Sequence, residues 1–216
     1  MAHFSASALF ALIILGCIST GAYSNSFSAV ITDQQNRPLA DAVVELIPHQ
    51  PLAETVQTVA SVAQRGLMFT PFVTAVPRGS LVDFPNQDKT RHHVYSFSAA
   101  KSFEIQLYSG KPEQPVLFDQ AGVVALGCNI HDYMQAYIYV GESAYLAVTD
   151  DKGMAVFPDI PDGSYQLKLW HPWQNADWVT QNVQIKQGQV MSYQLAITAQ
   201  EKPKKPKKGF GASYTP

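Results

Sequence analysis

Gly127-Cys128-Asn129-Ile130-His131-Asp132-Tyr133-Met134 is the most informative segment of the chain. It places a thiol, an imidazole and a thioether at a Cys-x2-His-x2-Met spacing, and the apolar-alternating run Gln135 to Val140 follows it. Strict alternation is typical of a half-buried strand, so we predict a tight loop between two strands. A compact loop of this kind directs all three side chains at one point.

A histidine upstream completes the set. Arg91-His92-His93-Val94 lies at the start of a predicted strand, so His92 adds a second imidazole to Cys128 and His131. Two histidines and a cysteine with a long axial methionine form the ligand set of blue-copper electron-transfer sites. Structural zinc takes four strong ligands and catalytic zinc keeps an open position for water, so Met134 favours copper. We predict one mononuclear type 1 copper ion, bound by His92, Cys128, His131 and Met134.

Alternatives remain at several of these positions. Successive side chains of a regular strand point to opposite faces, so His93 is the alternative ligand to His92. Met134 has the alternative role of filling the core. Asp132 and Tyr133 either shape a docking surface or belong to a solvated loop tip.

Short alternating runs predict an all-β fold. They comprise Phe27 to Ile31, Ala42 to Ile47, Leu81 to Phe84, His93 to Phe97, Phe103 to Tyr108, Gln135 to Val140 and Tyr165 to Trp170. Turn residues such as Pro161-Asp162-Gly163 separate the runs at intervals typical of β-sandwiches. Only Ala53 to Gln64 is a candidate helix, expected to be a connector, with one side formed by Val56, Val59, Ala60 and Ala63.

Two separated segments resemble a single small sandwich. Val30 to Asp33 with Arg37 to Leu46 resembles the opening strands of the carboxypeptidase-regulatory-like (prealbumin-like) β-sandwich, and Ala147 to Gly153 with Phe157 to Leu167 resembles its continuation. The resemblance implies a second domain inserted at a loop, where insertion is tolerated. The predicted organisation is a signal peptide at 1–24, the discontinuous outer sandwich at 25–50 plus 141–198, the inserted domain at 62–140 and a disordered basic tail at 199–216.

The inserted segment resembles the cupredoxins. Val82 to Val94 and Val116 to Val140 are similar to the amicyanin- and plastocyanin-like group, and Phe27 to Ile197 resembles the bacterial methylamine utilisation proteins. The resemblance implies a Greek-key sandwich with the same four copper ligands, which carries single electrons to or from a redox partner protein in the periplasm. Gly127 replaces the aromatic residue common before the cysteine, and His93 replaces the usual asparagine, so we expect an altered reduction potential.

The N-terminal segment predicts export to the periplasm. Ala8 to Gly16 is a short apolar run, and Ala22-Tyr23-Ser24 suits signal peptidase, although Cys17 also fits a loose lipoprotein box. The run is too short to span a bilayer. After cleavage Cys128 is the sole cysteine, so an internal disulfide is excluded.

Positive charge is clustered near the C-terminus, in Lys202, Lys204, Lys205, Lys207 and Lys208. Without these lysines and Glu201, ten basic and sixteen acidic residues remain, a net charge of −6. A nucleic-acid partner is excluded because the body offers no basic face to neutralise phosphates. A membrane contact is expected only through a lipid on Cys17 or through the basic tail.

Two other functions compete with electron transfer. The first is copper handling, meaning storage or delivery of the metal. The second is a carbohydrate- or cell-envelope-binding module with a structural metal, in which the rings of Trp170 or Trp173 would stack on sugar. Domain packing is the simpler interpretation of the aromatic patch Trp170-His171-Pro172-Trp173. No enzymatic activity is predicted, because Ser-His-Asp, zinc-hydrolase and phosphate-loop motifs are all absent from the sequence.

Overall fold

A computed structural model describes residues 26–50, 57–175 and 178–206. Every regular element among these residues is a β-strand, which confirms the predicted all-β class. The strands are β1 (Phe27–Asp33), β2 (Val43–Pro48), β3 (Val59–Ser61), β4 (Ala63–Gln64), β5 (Phe69–Thr70), β6 (Val73–Pro77), β7 (Ser80–Asp83), β8 (His92–Ser98), β9 (Lys101–Tyr108), β10 (Val116–Phe118), β11 (Gly122–Gly127), β12 (Gln135–Gly141), β13 (Tyr145–Val148), β14 (Met154–Phe157), β15 (Gly163–Trp170), β16 (Val179–Ile185) and β17 (Val190–Leu195).

The first and last strands of the chain form two sheets around one core. One sheet has the order β14-β1-β17, with β1 and β17 parallel, and the other has the order β13-β2-β15-β16. Alternate side chains of these strands face each other, as expected for a sandwich. Their shared core includes Phe27, Ile31, Leu46, Phe157, Leu167, Leu169 and Ile185.

The middle strands form a second pair of sheets with a separate core. The larger sheet has the order β6-β12-β11-β8-β9, the smaller has the order β10-β7-β3, and β4 and β5 form a hairpin beside them. Side chains from both sheets meet in the second core, which includes Val82, Phe84, Val94, Phe118, Val124, Ile138 and Met134.

A third apolar cluster joins the two pairs of sheets. We call it the seam: its buried members are Val43, Val73, Tyr139 and Trp170. Strand β12 explains how the seam forms, because Ile138 faces the second core while Tyr139 faces the seam. Within the seam the Tyr139 hydroxyl donates a 2.7 Å hydrogen bond to the buried carboxylate of Glu45.

The candidate helix at Ala53 to Gln64 is wrong over the part that the structure describes. Positions 53–56 lie outside the described residues, and the rest contains β3 and β4. Val62 and Gln64 are both fully buried, so burial repeats every second residue as in a strand. Their N–H groups bond to the carbonyls of Asp83 and Pro85, each at 2.9 Å.

The predictions for the two chain ends, a signal peptide and a disordered basic tail, concern segments that the structure describes only in part. The signal segment 1–24, with Cys17, and the last lysines of the tail lie outside the described residues. Lys202, which is described, forms an ion pair with Asp41 and lies over the ring of Phe72 at 5.8 Å. In the described ranges there is no helix with the length and apolar character needed to cross a membrane.

Candidate metal centre

The loop 128–134 joins two adjacent antiparallel strands. Strands β11 and β12 pair up to Gly127 opposite Gln135, so the loop begins and ends at one edge of the sheet. The Met134 N–H donates to the His131 carbonyl at 2.8 Å, which closes the loop with a turn. The strands therefore fix both ends of the Cys-x2-His-x2-Met segment, as the sequence predicts.

His92, Cys128 and His131 come together at this edge. Strand β8 pairs with β11 through Tyr95 and Gly127, which brings the first residue of β8 beside the loop. The ligand atoms of the three side chains lie within 4.8 Å of one another, and Cys128 Sγ is 3.9 Å from His131 Nδ1. His92 and Cys128 are buried, whereas His131 is half-buried. Among the described residues this is the sole cluster of three or more potential histidine, cysteine or carboxylate ligands.

The hydrogen bonds of His92 leave one ring nitrogen available. Its Nε2 lies 2.9 Å from Asp88 Oδ2, while its Nδ1 is buried and has no hydrogen-bond partner. A buried polar atom without a partner is costly unless something else satisfies it. A metal ion bound at Nδ1 would satisfy it.

Met134 and His93 occupy different surroundings. Met134 is fully buried, packs in the same core as Cys128 and lines the same open cavity of about 590 Å³. His93 is also buried, its Nε2 lies 2.7 Å from Glu104 on β9, and its Nδ1, like that of His92, has no hydrogen-bond partner. The pairing of β8 with β9 shifts register between His92 and Val94, so the two histidines are directed to different partners across an irregular stretch of strand. His93 is not part of the three-residue cluster.

Tyr95 occupies the space where a side chain at position 127 would lie. A Cβ atom built on Gly127 would be 2.6 Å from Tyr95 Cζ, much closer than real contacts allow. The Tyr95 ring from β8 thus lies directly against the backbone of Gly127. Sequence reasoning noted the glycine but not its partner.

Asp88 and Asn86 are further site residues that sequence reasoning missed. Asn86 accepts the Asp88 N–H at 2.9 Å and donates to the Thr90 and Tyr108 carbonyls, both at 2.9 Å, so it braces the loop before β8. The available signal was the Asn-x-Asp pattern, which is typical of side chains that cap a turn.

Burial and charge shift the pKa of several groups around the cluster, including His131, Asp88 and Tyr108. Burial, and then the charge of His92, lower the pKa of His131. Burial raises the pKa of Asp88, but hydrogen bonds from Leu67, His92 and Gly66 outweigh it, so the pKa is lowered overall. Burial raises the pKa of Tyr108 to about 12, and the nearby Cys128 thiolate adds to the rise. The site therefore favours a neutral His131 and an ionised Asp88.

The donor set fits a single soft or borderline metal ion. Metal–imidazole and metal–thiolate bonds are about 2.0–2.1 Å and about 2.3 Å long. Their sum of about 4.3 Å exceeds the 3.9 Å between His131 Nδ1 and Cys128 Sγ, so one ion can bind both. Thiolate with imidazole suits copper or zinc and does not suit magnesium or calcium.

The comparisons with known proteins concern part of the chain. No protein-family model and no curated protein matches it. The chain is similar to a purple cupredoxin from Nitrosopumilus maritimus at 18% identity, over 38% of this chain and 99% of that one, with a TM-score of 0.34. It is similar to a pseudoazurin from Sinorhizobium meliltoi at 23% identity, over 41% and 77%, with a TM-score of 0.32. It is also similar to an amicyanin mutant in the reduced Cu(I) form at 19% identity, over 45% and 98%, with a TM-score of 0.33.

Proposed function

We propose that this protein is a single-electron carrier with one type 1 copper ion bound by His92, Cys128 and His131, and by Met134 as a weak axial ligand. The convergence of a buried thiol and two imidazole nitrogens within 4.8 Å carries the proposal. The unpartnered Nδ1 of His92 supports it, because a ligating nitrogen needs no hydrogen bond. Copper, when bound, supplies the change between Cu(I) and Cu(II).

The protein's own contribution is to hold the ligands still. His92 begins a strand of the same sheet whose neighbouring strands carry the loop 128–134, so hydrogen-bonded backbone supports every ligand. A frame that changes little between the two oxidation states lowers the cost of each electron transfer. Cys128 is only 3% exposed, whereas His131 is half-buried and Ile130 is 41% exposed beside it. We therefore assign electron entry and exit to the His131 edge.

The rest of the assignment follows the same reasoning. We propose an outer sandwich that accepts the copper domain as an insertion, supported by the two separate cores and the seam between them. We propose export to the periplasm, where a redox partner protein exchanges electrons with the His131 edge; the apolar run Ala8 to Gly16 supports export. We propose that the chain alone has no enzymatic activity.

Visible and paramagnetic-resonance spectra of the copper-loaded protein test the proposal. We expect an intense thiolate-to-copper band at about 600 nm, lost in Cys128→Ser and kept in Asp132→Asn, which removes an exposed carboxylate from the same loop. A colourless protein that binds Cu(I) and releases it readily to a chelator would instead indicate copper handling.

The carbohydrate-binding alternative is disfavoured by the position of its aromatic rings. Trp170 is 7% exposed in the seam, and both ring nitrogens of His171 already form hydrogen bonds, at 3.1 Å, with Ala40 and Trp173. Trp173 packs against the core that the first and last strands share, and its ring lies 5.9 Å from the Phe72 ring. This patch packs the two halves of the molecule together, as the simpler interpretation predicts.

A further inference from the structure

Asp88 is the centre of a small hydrogen-bond network that reaches the proposed copper site. Its Oδ1 accepts the Gly66 N–H at 2.7 Å, and its Oδ2 accepts the Leu67 N–H at 2.9 Å. The same Oδ2 lies 2.9 Å from His92 Nε2. One carboxylate therefore connects the β4–β5 hairpin to the first histidine of the cluster.

This network determines where His92 carries its proton. An ionised carboxylate only accepts hydrogen bonds, so the bond to Asp88 requires a proton on His92 Nε2. A neutral imidazole with a proton on Nε2 has its lone pair on Nδ1. That is the buried nitrogen without a partner, so the metal-free protein already presents the nitrogen that the ion needs.

The hairpin that holds Asp88 has an unusual backbone. Arg65 and Met68 exchange backbone hydrogen bonds at 2.9 and 3.3 Å, and the two residues between them both have positive φ, 66° at Gly66 and 62° at Leu67. This is a two-residue turn of the kind that favours Asn-Gly or Gly-Gly. A leucine at positive φ is strained, and such strain persists where surrounding structure compensates for it. The N–H groups of both turn residues point at the Asp88 carboxylate, which provides the compensation.

We infer that Asp88 is a positioning residue that locks His92 with its proton on Nε2 and raises the donor strength of Nδ1 toward the metal. The inference rests on the proposed function. A carboxylate hydrogen-bonded to a ligating histidine makes that histidine more basic, and removal of such a partner typically lowers metal affinity about 10–100-fold. A stronger donor favours Cu(II) over Cu(I), so Asp88 lowers the reduction potential.

The test compares Asp88→Asn with Asp132→Asn. Both variants remove one negative charge near the cluster, but Asp132 is exposed and forms no side-chain bond to a ligand in the described structure. If Asp88→Asn lowers the affinity for Cu(II) by about 10–100-fold and leaves that for Cu(I) unchanged, the reduction potential rises by about 60–120 mV, because each tenfold change corresponds to about 59 mV for one electron. We expect a clearly smaller rise in Asp132→Asn. Equal shifts in the two variants would show that Asp88 acts only through its charge and would overturn the inference.

A second measurement uses the metal-free wild-type protein and needs no variant. Nitrogen-15 spectra of the histidine rings at neutral pH should show His92 protonated at Nε2. Protonation at Nδ1 would overturn the inference whether or not copper binds. Absence of a thiolate–copper band in the wild type would overturn the proposed function instead, so the two failures are distinguishable.

Discussion

Truncation of Trp170 to alanine should destabilise the whole protein through the seam. Trp170 is 7% exposed, and its ring lies 5.8 Å from that of Tyr139 and 5.9 Å from that of Tyr137. A buried aromatic side chain removes about 150–250 Å² from water, and about 25 cal/mol per Å² gives about 4–6 kcal/mol. Denatured chains retain some burial, so we expect a loss of about 3–5 kcal/mol in the free energy of unfolding.

Urea unfolding followed by circular dichroism measures this loss. Phe97→Ala is the matched control, because the Phe97 ring is 83% exposed and its removal should cost about 1 kcal/mol or less. The expected result is a much lower unfolding midpoint for Trp170→Ala than for Phe97→Ala. Similar midpoints for the two variants would refute the view that Trp170 packs one half of the molecule onto the other.

Three further predictions concern single contacts. Gly127→Ala forces its new Cβ into the Tyr95 ring, at 2.6 Å from Cζ, and should cost about 1–3 kcal/mol in thermal unfolding; the cost should shrink when Tyr95→Ala is added. Tyr139→Phe removes the donor to buried Glu45 and should cost about 1.5–3 kcal/mol in urea, and a loss below about 0.5 kcal/mol would contradict this. Burial lowers the pKa of His171 in the native protein. The native protein keeps this imidazole neutral to a lower pH than the unfolded chain, in which it becomes protonated at about pH 6.5. Stability should therefore fall below that pH by at most about 1.4 kcal/mol per unit, and His171→Gln should weaken the dependence of the urea midpoint on pH.

The strands and the ligand loop could be predicted because their signals are local. Alternation marks β12 so clearly that its predicted and observed bounds differ by one residue at the C-terminal end. The Cys-x2-His-x2-Met spacing depends only on a loop between two adjacent strands. The position of His92 at the start of a strand and the ligand set that it completes predicted its role, and the structure brings it to Cys128 and His131.

The residues that the sequence did not reveal act across the fold. Gly66 and Leu67 contact Asp88 from a hairpin more than twenty positions earlier, and Tyr95 reaches Gly127 from another strand. Neither contact has a local pattern, because each depends on which strands become neighbours. The error at Ala53 to Gln64 has a similar origin, since pairing of β3 with β7 overrides a weak helical periodicity.

The pairing of β2 with β13 and β15 links the stability of these sheets to the folding of the segment between them. Leu46 pairs with Tyr145, so the outer sheets close a loop of about one hundred residues. The cost of closure grows with the logarithm of loop length, and a folded middle segment that shortens the effective loop about tenfold saves about 2 kcal/mol. Loop-closure entropy therefore favours assembly of the first and last strands around a middle segment that has already folded. Loss of structure in that segment would loosen the outer strands as well, even where they share no side-chain contact with it.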